Sequence, residues 1–254
     1  MNWYNADLHI HTCLSPCGDL EMSPRNIIRS AKEKGLHIIA ITDHNSTRNV
    51  QVCINIGSRE GLYVIPGCEV NTVEEIHCLC YFPHLQAMEL FQRYLDERMT
   101  DMLNNPELFG YQVVADENDN IVGEEERSLF MGISDSIGEV EKQVHLLNGI
   151  FVPAHIDRQK NGVLSQLGFI PVDLSYEALE VSRRTTPAAF VKVHPELTEK
   201  RFLQSSDAHY PEHIGSVHTR FYMEKPDWYH FRSALRSSQF ETWNVQPEKR
   251  KSYD

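Results

Sequence analysis

The sequence predicts an α/β fold in which strands and helices alternate, the strands forming a parallel sheet closed into a barrel. Three observations carry that expectation. Apolar runs of strand length alternate with helical patterns along most of the 254 residues. The run over residues 36–42 is nearly continuous, as in a parallel strand covered on both faces. Five short pieces at the ends of predicted strands hold most of the unusual histidines and acids: Asp7-Leu8-His9-Ile10-His11, Thr42-Asp43-His44, Glu69 with His77, Ala154-His155, and Ser206-Asp207-Ala208-His209. Active sites of such barrels lie at the C-terminal ends of the strands, where these residues stand.

The first unit sets the rhythm. A strand over residues 6–11 leads through a loop to Ser23 as N-cap and Pro24 as first helical residue. Ile27, Ile28 and Ala31 form an apolar stripe, and Gly35 closes the helix before the next strand. Further strands are expected at residues 62–65, 76–82, 150–154, 178–181, 201–205 and 217–223. Ile137, Val140, Val144 and Leu147 mark a helix ended by Gly149, and Trp228, Phe231 and Leu235 mark a last one.

One interval departs from this rhythm, because the stretch between His77 and His155 is longer than a single crossover needs. Residues 111–115 and 120–122 flank the polar turn Asp116-Glu117-Asn118-Asp119, a hairpin signal. Residues 90–133 are read as an inserted cap within one domain spanning residues 1–254. The turn is no calcium loop, since Ile121 holds the required glycine position and Arg127 that of the bidentate acid.

Composition narrows the function. Hydrophobic residues make up 41% of the chain, ordinary for a packed domain. With 24 basic and 36 acidic residues the formal charge is −12, which argues against gripping long nucleic acid by its phosphates and favours a small anionic substrate. No basic segment precedes an apolar run at the start and no stretch approaches membrane-spanning length, so a cytoplasmic protein without a membrane partner is expected. The six cysteines read as reduced thiols. Cys13-x3-Cys17 and Cys78-x-Cys80 invite a thiolate metal site. If His77 points into the barrel, however, Cys78 and Cys80 point away from it, and buried structural thiols are the preferred reading. The basic run Lys249-Arg250-Lys251 is read as a solvated end.

The ligand pattern is more specific. Residues two apart on a strand share a face, so His9 and His11 point together, as do Asp207 and His209. Imidazoles and carboxylates in this mixture suit zinc, iron or manganese, and the candidates are too many for one ion. His37, His84, His145, His194, His213, His218 and His230 lack such pairing and are read as ordinary, partly exposed residues.

Taken together, Asp7-Leu8-His9-Ile10-His11-Thr12, Ile41-Thr42-Asp43-His44-Asn45, Gly67-Cys68-Glu69, His77, Ala154-His155 and Ser206-Asp207-Ala208-His209 give a chain that resembles the polymerase and histidinol phosphatase (PHP) family. The resemblance implies a distorted (β/α)7 TIM-like barrel with a trinuclear metal centre at its C-terminal mouth. It implies that His9, His11, Glu69 and Asp207 hold one ion, that Glu69 bridges to a second completed by His77 and His155, and that Asp19, His44 and His209 hold a third.

Several divalent ions suit phosphoester hydrolysis, because they lower the pKa of bound water and clamp the attacking and leaving oxygens. Asp43 is expected to accept a hydrogen bond from a ligand imidazole. Arg158 is expected to fork onto a phosphate, with Arg183 and Arg184 as further candidates for that task. The leading expectation is a phosphatase acting on a small phosphomonoester, a nucleotide or nucleoside 3′,5′-bisphosphate. An exonuclease or phosphodiesterase on nucleic-acid ends, a histidinol-phosphate phosphatase and a non-catalytic binding barrel stand as alternatives. Neither oligomeric state nor leaving group is legible.

Overall fold

The computed structural model describes residues 1–244; the Lys249-Arg250-Lys251 run lies outside them. Three strands lie side by side and parallel at the heart of the molecule: β1 (Asn2–Ile10), β2 (Ile38–Ile41) and β3 (Tyr63–Asn71). Helix α1 (Pro24–Glu33) joins the first two, and Ser23 caps it by accepting from the Asn26 N–H. A second helix, α2 (Val50–Glu60), joins β2 to β3 and ends on Gly61 in the left-handed conformation. The four residues of β2 are all fully buried because the strand is covered on both sides. Ile39 and Ile41 pack outward with Ile27, Ile28 and Val50, whereas Ile38 and Ala40 pack inward with Leu8, Ile65 and Leu79.

The parallel expectation fails at β4 (His77–Tyr81), which runs antiparallel to β3 with Glu69 opposite Leu79 and Asn71 opposite His77. The five residues between the two strands are too few for a crossover, so the chain must turn back as a hairpin. His77 therefore begins its strand instead of ending it, which brings it to the same end of the sheet as Glu69. Cys78 and Cys80 face the outer core, while Leu79 and Tyr81 face inward.

Helix α3 (Leu85–Asp96) follows and seats Phe91 and Leu95 in the outer core beside Phe82 and Phe151. The departure from strand–helix order thus starts after Asp96, later than the expected residue 90. Within it are a short helix, α4 (Pro106–Phe109), and the hairpin of β5 (Val113–Ala115) and β6 (Ile121–Glu124). Its backbone is stitched to three loops at one end of the sheet. Val113 N donates to Cys13 O, Asn45 Nδ2 to Leu129 O and Met131 O, and Asn71 Nδ2 to Phe130 O.

The chain returns to the sheet through α5 (Ile137–Leu146) and β7 (Ile150–Pro153), which is antiparallel to β4. Helix α6 (Val163–Leu167), the short strand β8 (Leu179–Glu180), α7 (Pro187–Val193) and β9 (Phe202–Leu203) come next, with β8 and β9 parallel. Strand β10 (Val217–Met223), helix α8 (Trp228–Arg236) and β11 (Phe240–Asn244) complete the described chain, both strands antiparallel to their neighbours on the β1 edge.

The result is a mixed α/β molecule around a curled seven-stranded sheet, ordered β11-β10-β1-β2-β3-β4-β7. Ile156 N donates to Glu180 O at 2.9 Å, joining the segment after β7 to β8. His11 N donates to Ala208 O at 3.0 Å, joining the segment after β9 to β1. Among the described residues no helix is long and apolar enough to cross a membrane.

Candidate metal centre

The ends of β1, β2, β3 and β7, the start of β4 and the segment after β9 meet at one end of the sheet, and Glu69 is the point on which they converge. Its carboxylate is 1% exposed. Oε2 lies 3.3 Å from His9 Nε2, 3.3 Å from His11 Nε2 and 3.1 Å from His44 Nδ1, and Oε1 lies 3.0 Å from His77 Nδ1 and 3.1 Å from His155 Nε2. Asp207 Oδ1 faces the same pair of imidazoles, 3.5 Å from His9 Nε2 and 3.4 Å from His11 Nε2. His209 stacks on His11 with ring centroids 4.3 Å apart.

Two of these residues hold strained backbones. His155 has φ 25° and Asp207 φ 50°, in the region that L side chains seldom adopt, and each redirects its side chain at a strand end.

The imidazoles are oriented from behind. Glu180, buried on β8, lies 3.1 Å from His9 Nδ1 and accepts from the His155 N–H at 3.0 Å. A proton on His9 Nδ1 donated to Glu180 leaves the Nε2 lone pair aimed at the cluster. His11 is fixed by counting. The Ser15 hydroxyl has one hydrogen and donates it to Asp43 Oδ1 at 2.7 Å, so towards His11 Nδ1, 2.9 Å away, it accepts. In the neutral ring, the form a metal ion takes, His11 Nε2 is then also left as a lone pair.

Asp43 does not meet an imidazole directly. Fully buried, it accepts from Thr12 N at 2.7 Å and Thr12 Oγ1 at 2.8 Å as well as from Ser15, and it reaches His11 only through that hydroxyl. The side chain following Thr42 points to the opposite face from its neighbour His44, which accounts for the separation.

Electrostatics set the two acids apart. Burial would raise Glu69, but His77, His9 and His44 and the His11 hydrogen bond hold it well below the usual carboxylate range. Burial opposes Asp207 ionisation likewise, and His9 and His11 overcome it. His9 moves the other way: burial would lower it, yet Glu69, Glu180 and Asp207 raise it well above its ordinary value. His11 is raised to about 9 against burial by Asp207 and Glu69. His44 and His77 are lowered, chiefly by burial, and His209 is lowered to about 4 by burial and by His11. The mouth therefore combines buried anions with two imidazoles, His9 and His11, that hold their protons against those anions, and three, His44, His77 and His209, that favour the neutral form.

This donor set fits divalent cations. Two ligands each about 2.1 Å from a tetrahedral ion stand about 3.4 Å apart, and the contacts to Glu69 and Asp207 fall close to that separation. His44 Nδ1 and His155 Nδ1 are buried without a hydrogen bond, which a cationic partner at these rings would remedy for His44. Groups able to hold an ion are His9 with His11 and Glu69, His44 with Glu69 and His77, and His11 with Cys17, His44 and His209.

Not every expected residue joins the cluster. Asp19 lies beside His209, whose carbonyl accepts from Asp19 N at 2.9 Å, but its carboxylate accepts from Glu21 N at 2.8 Å in a local turn. Arg158 stands at the mouth with Nη1 2.6 Å from Asp207 Oδ2. Arg183 and Arg184 follow β8 and are exposed. The residues that sequence reasoning missed are Glu180 and Ser15, whereas Cys17, weighed with Cys13 as a thiolate site and read as a structural thiol, lies among the imidazoles. Glu180 carried a signal, a lone acid inside the apolar run Ala178-Leu179-Glu180-Val181. Among the unpaired histidines, His218 is buried, contrary to expectation.

The uncharacterized protein YqxK of Bacillus subtilis is 25% identical over 265 aligned positions, 91% of this chain and 61% of that protein. The 5′-3′ exoribonuclease Rnm of Salmonella typhimurium is 38% identical over 73 residues, 28% of this chain and 24% of that protein. Among solved structures, the lesion-specific endonuclease PfuEndoQ of Pyrococcus furiosus shares the fold with a TM-score of 0.72 at 19% identity, over 95% of this chain and 58% of that one. The chain thus spans less than two-thirds of the length of each of these proteins. The model of the PHP domain matches residues 7–245, from the aspartate of the first strand through every segment that meets at Glu69, and on that extent the chain belongs to the PHP domain family.

Proposed function

We propose that the chain is a metal-dependent phosphoesterase that hydrolyses a small phosphomonoester, a nucleotide or nucleoside 3′,5′-bisphosphate, on a trinuclear centre at the mouth of a distorted (β/α)7 barrel. The observation that carries the reading is Glu69, one buried carboxylate within 3.3 Å of five imidazoles. A carboxylate so placed is suited to bridging ions. Membership in the PHP family supports the same class of reaction.

Divalent zinc, iron or manganese held by His9, His11, His44, Glu69, His77, His155, Asp207 and His209 would supply an acidified water and polarise the ester oxygens. The chain's own residues then orient and enclose. Glu180 and Ser15 keep the Nε2 lone pairs of His9 and His11 directed inward. Arg158 offers a planar fork at the rim, where a phosphate oxygen would take over the contact now made by Asp207. Asp43 acts through Ser15, as a positioning residue.

The insert supports a nucleotide. Phe130 stands with its ring centroid 6.0 Å from that of His44, is 42% exposed and touches Phe109 at 5.7 Å. An exposed ring beside the reacting end is a stacking surface for a base.

A second reading, hydrolysis at a nucleic-acid end or lesion, is favoured by the fold likeness to the endonuclease over 95% of this chain. The deciding experiment is phosphate release from 5′-mononucleotides, 3′,5′-bisphosphates, histidinol phosphate and short oligonucleotides, with manganese-loaded protein and a chelated control. Selective turnover of a nucleotide, abolished by chelation, is the expected result; shortening of oligonucleotides without release from monomers would replace it with the second reading. Phe130→Ala should weaken apparent affinity for the nucleotide roughly tenfold, from a stacking energy of about 1–3 kcal/mol. Turnover of a phosphomonoester lacking an aromatic ring should be unchanged.

A further inference from the structure

We propose that Cys17 is a thiolate ligand of the third metal position, which therefore selects a thiophilic ion such as zinc or ferrous iron over manganese. The inference rests on reading the mouth as a metal centre and changes who completes it, since the order of the sequence points to Asp19.

The Cys17 Sγ and one nitrogen each of His11, His44 and His209 all lie within 4.8 Å of one another. Because the one lone pair of His11 faces Glu69 and Asp207, His44, His209 and the sulfur are the three donors left to this position, the number that a zinc with an open site takes. The carboxylate of Asp19 enters no such group among the described residues. It is engaged instead by the Glu21 N–H at 2.8 Å, and its own carbonyl accepts from Met22 N.

The loop that carries Cys17 is built rather than slack. Ser15 N donates to Thr12 O at 3.1 Å and Gly18 N to Ser15 O at 2.8 Å, so Pro16 and Cys17 form the tip of a tight turn. A Cβ at Gly18 would sit 2.4 Å from Thr12 O, and only glycine lets the chain pass there. On the far side, Gly110 of the insert packs its Cα against Pro16 O, where a Cβ would come within 2.3 Å. The turn that carries the thiol thus lies against the insert.

Independent of the sulfur, His44 is 6% exposed and its Nδ1 has no hydrogen-bond partner, although it lies 3.1 Å from Glu69 Oε2. A buried imidazole nitrogen without a hydrogen bond, in a ring that borders both Glu69 and the sulfur, is suited to a cationic partner. Cys17 also differs from the other cysteines of the chain. Cys53, Cys68, Cys78 and Cys80 are fully buried in the outer core, and the Cys13 thiol points to Val113 O. Sulfur at one position and carboxylate at the others would give a centre whose ions are not equivalent, because thiolate favours softer metals.

The test is reconstitution of the full chain with cobalt(II), following bound metal per chain and the near-ultraviolet absorption of a thiolate-to-cobalt charge transfer. The wild type should develop that band as the third equivalent binds. Cys17→Ser should lose the band and hold two equivalents instead of three, whereas Asp19→Asn should retain the band. A fully loaded wild type without the band overturns the assignment, and so does a Cys17→Ser protein that keeps it. Because the wild type alone can refute the idea, misfolding of a variant does not protect it. Failure to bind cobalt at all would instead bring down the reading of the mouth as a metal centre, and the Cys17 assignment with it.

Discussion

Glu180 shows how a single buried acid sets the chemistry of a neighbour. It contacts His9 Nδ1 and the His155 N–H together, so it fixes one imidazole's tautomer and the backbone position of another. Glu180→Gln keeps the shape but weakens the hold on the Nδ1 proton, and metal affinity should fall about 10- to 100-fold. Competition against a chromophoric chelator measures it; an unchanged affinity would reduce Glu180 to a packing residue. The imidazoles and acids that meet at Glu69 were legible because two-residue spacing on a strand is a geometric statement. Glu180 was legible only as an acid out of place in an apolar run, since an isolated acid has no partner at a readable spacing to say what it faces. Cys17 was weighed as a thiolate ligand but read as a structural thiol, because it sits in a loop, where sequence distance does not set direction. The Asp43 contact was misjudged by one side chain, as Ser15 stands between it and an imidazole.

At the scale of elements, the strand over Val217–Met223 has the boundaries that its alternation predicts, and α1 begins and ends at its Ser-Pro and Gly signals. What strand sequence does not encode is direction. The antiparallel β4 follows from the five-residue connection before it, a property of the link and not of the strand. Excess length suggests an inserted cap over residues 90–133, but the first of these residues belong to α3, whose Phe91 and Leu95 lie in the outer core. The junction between insert and mouth yields a prediction. Gly110 has φ 94° and abuts Pro16 O, so Gly110→Ala meets both a strained backbone and a steric clash. It should cost about 1–3 kcal/mol in urea unfolding. It should also displace the 12–19 loop, read as weaker binding of the last metal equivalent with the first two unaffected. Equal weakening of all three would mean that the junction supports the whole sheet and not that loop.

For the molecule as a whole, the argument turns on charge. A chain of formal charge −12 approaches a mononucleotide and an oligonucleotide differently, because repulsion grows with the number of phosphates that must come near. A protein that grips a strand by its phosphates loses affinity steeply with salt, by about 10³-fold or more between about 50 and 200 mM when it makes six or more contacts. An acidic protein that engages one terminal phosphate at a recessed metal centre should behave oppositely. Screening relieves the repulsion, since the Debye length shrinks to about 8 Å at physiological ionic strength. The ratio kcat/KM for a mononucleotide should be nearly flat across that salt range, and for any oligonucleotide that is turned over it should stay level or rise. Arg158, half-buried against Asp207, and the exposed Arg183 and Arg184 that follow β8 are the cations to test for a local reversal. A steep fall for the oligonucleotide that is flattened in Arg183→Ala/Arg184→Ala would show that these residues form a strand-binding rim despite the net charge. That outcome would favour nucleic-acid processing over a small-molecule phosphatase, whereas a flat or rising profile in both proteins would assign the acidic surface its simpler part, excluding long polyanions from a site built for one phosphate.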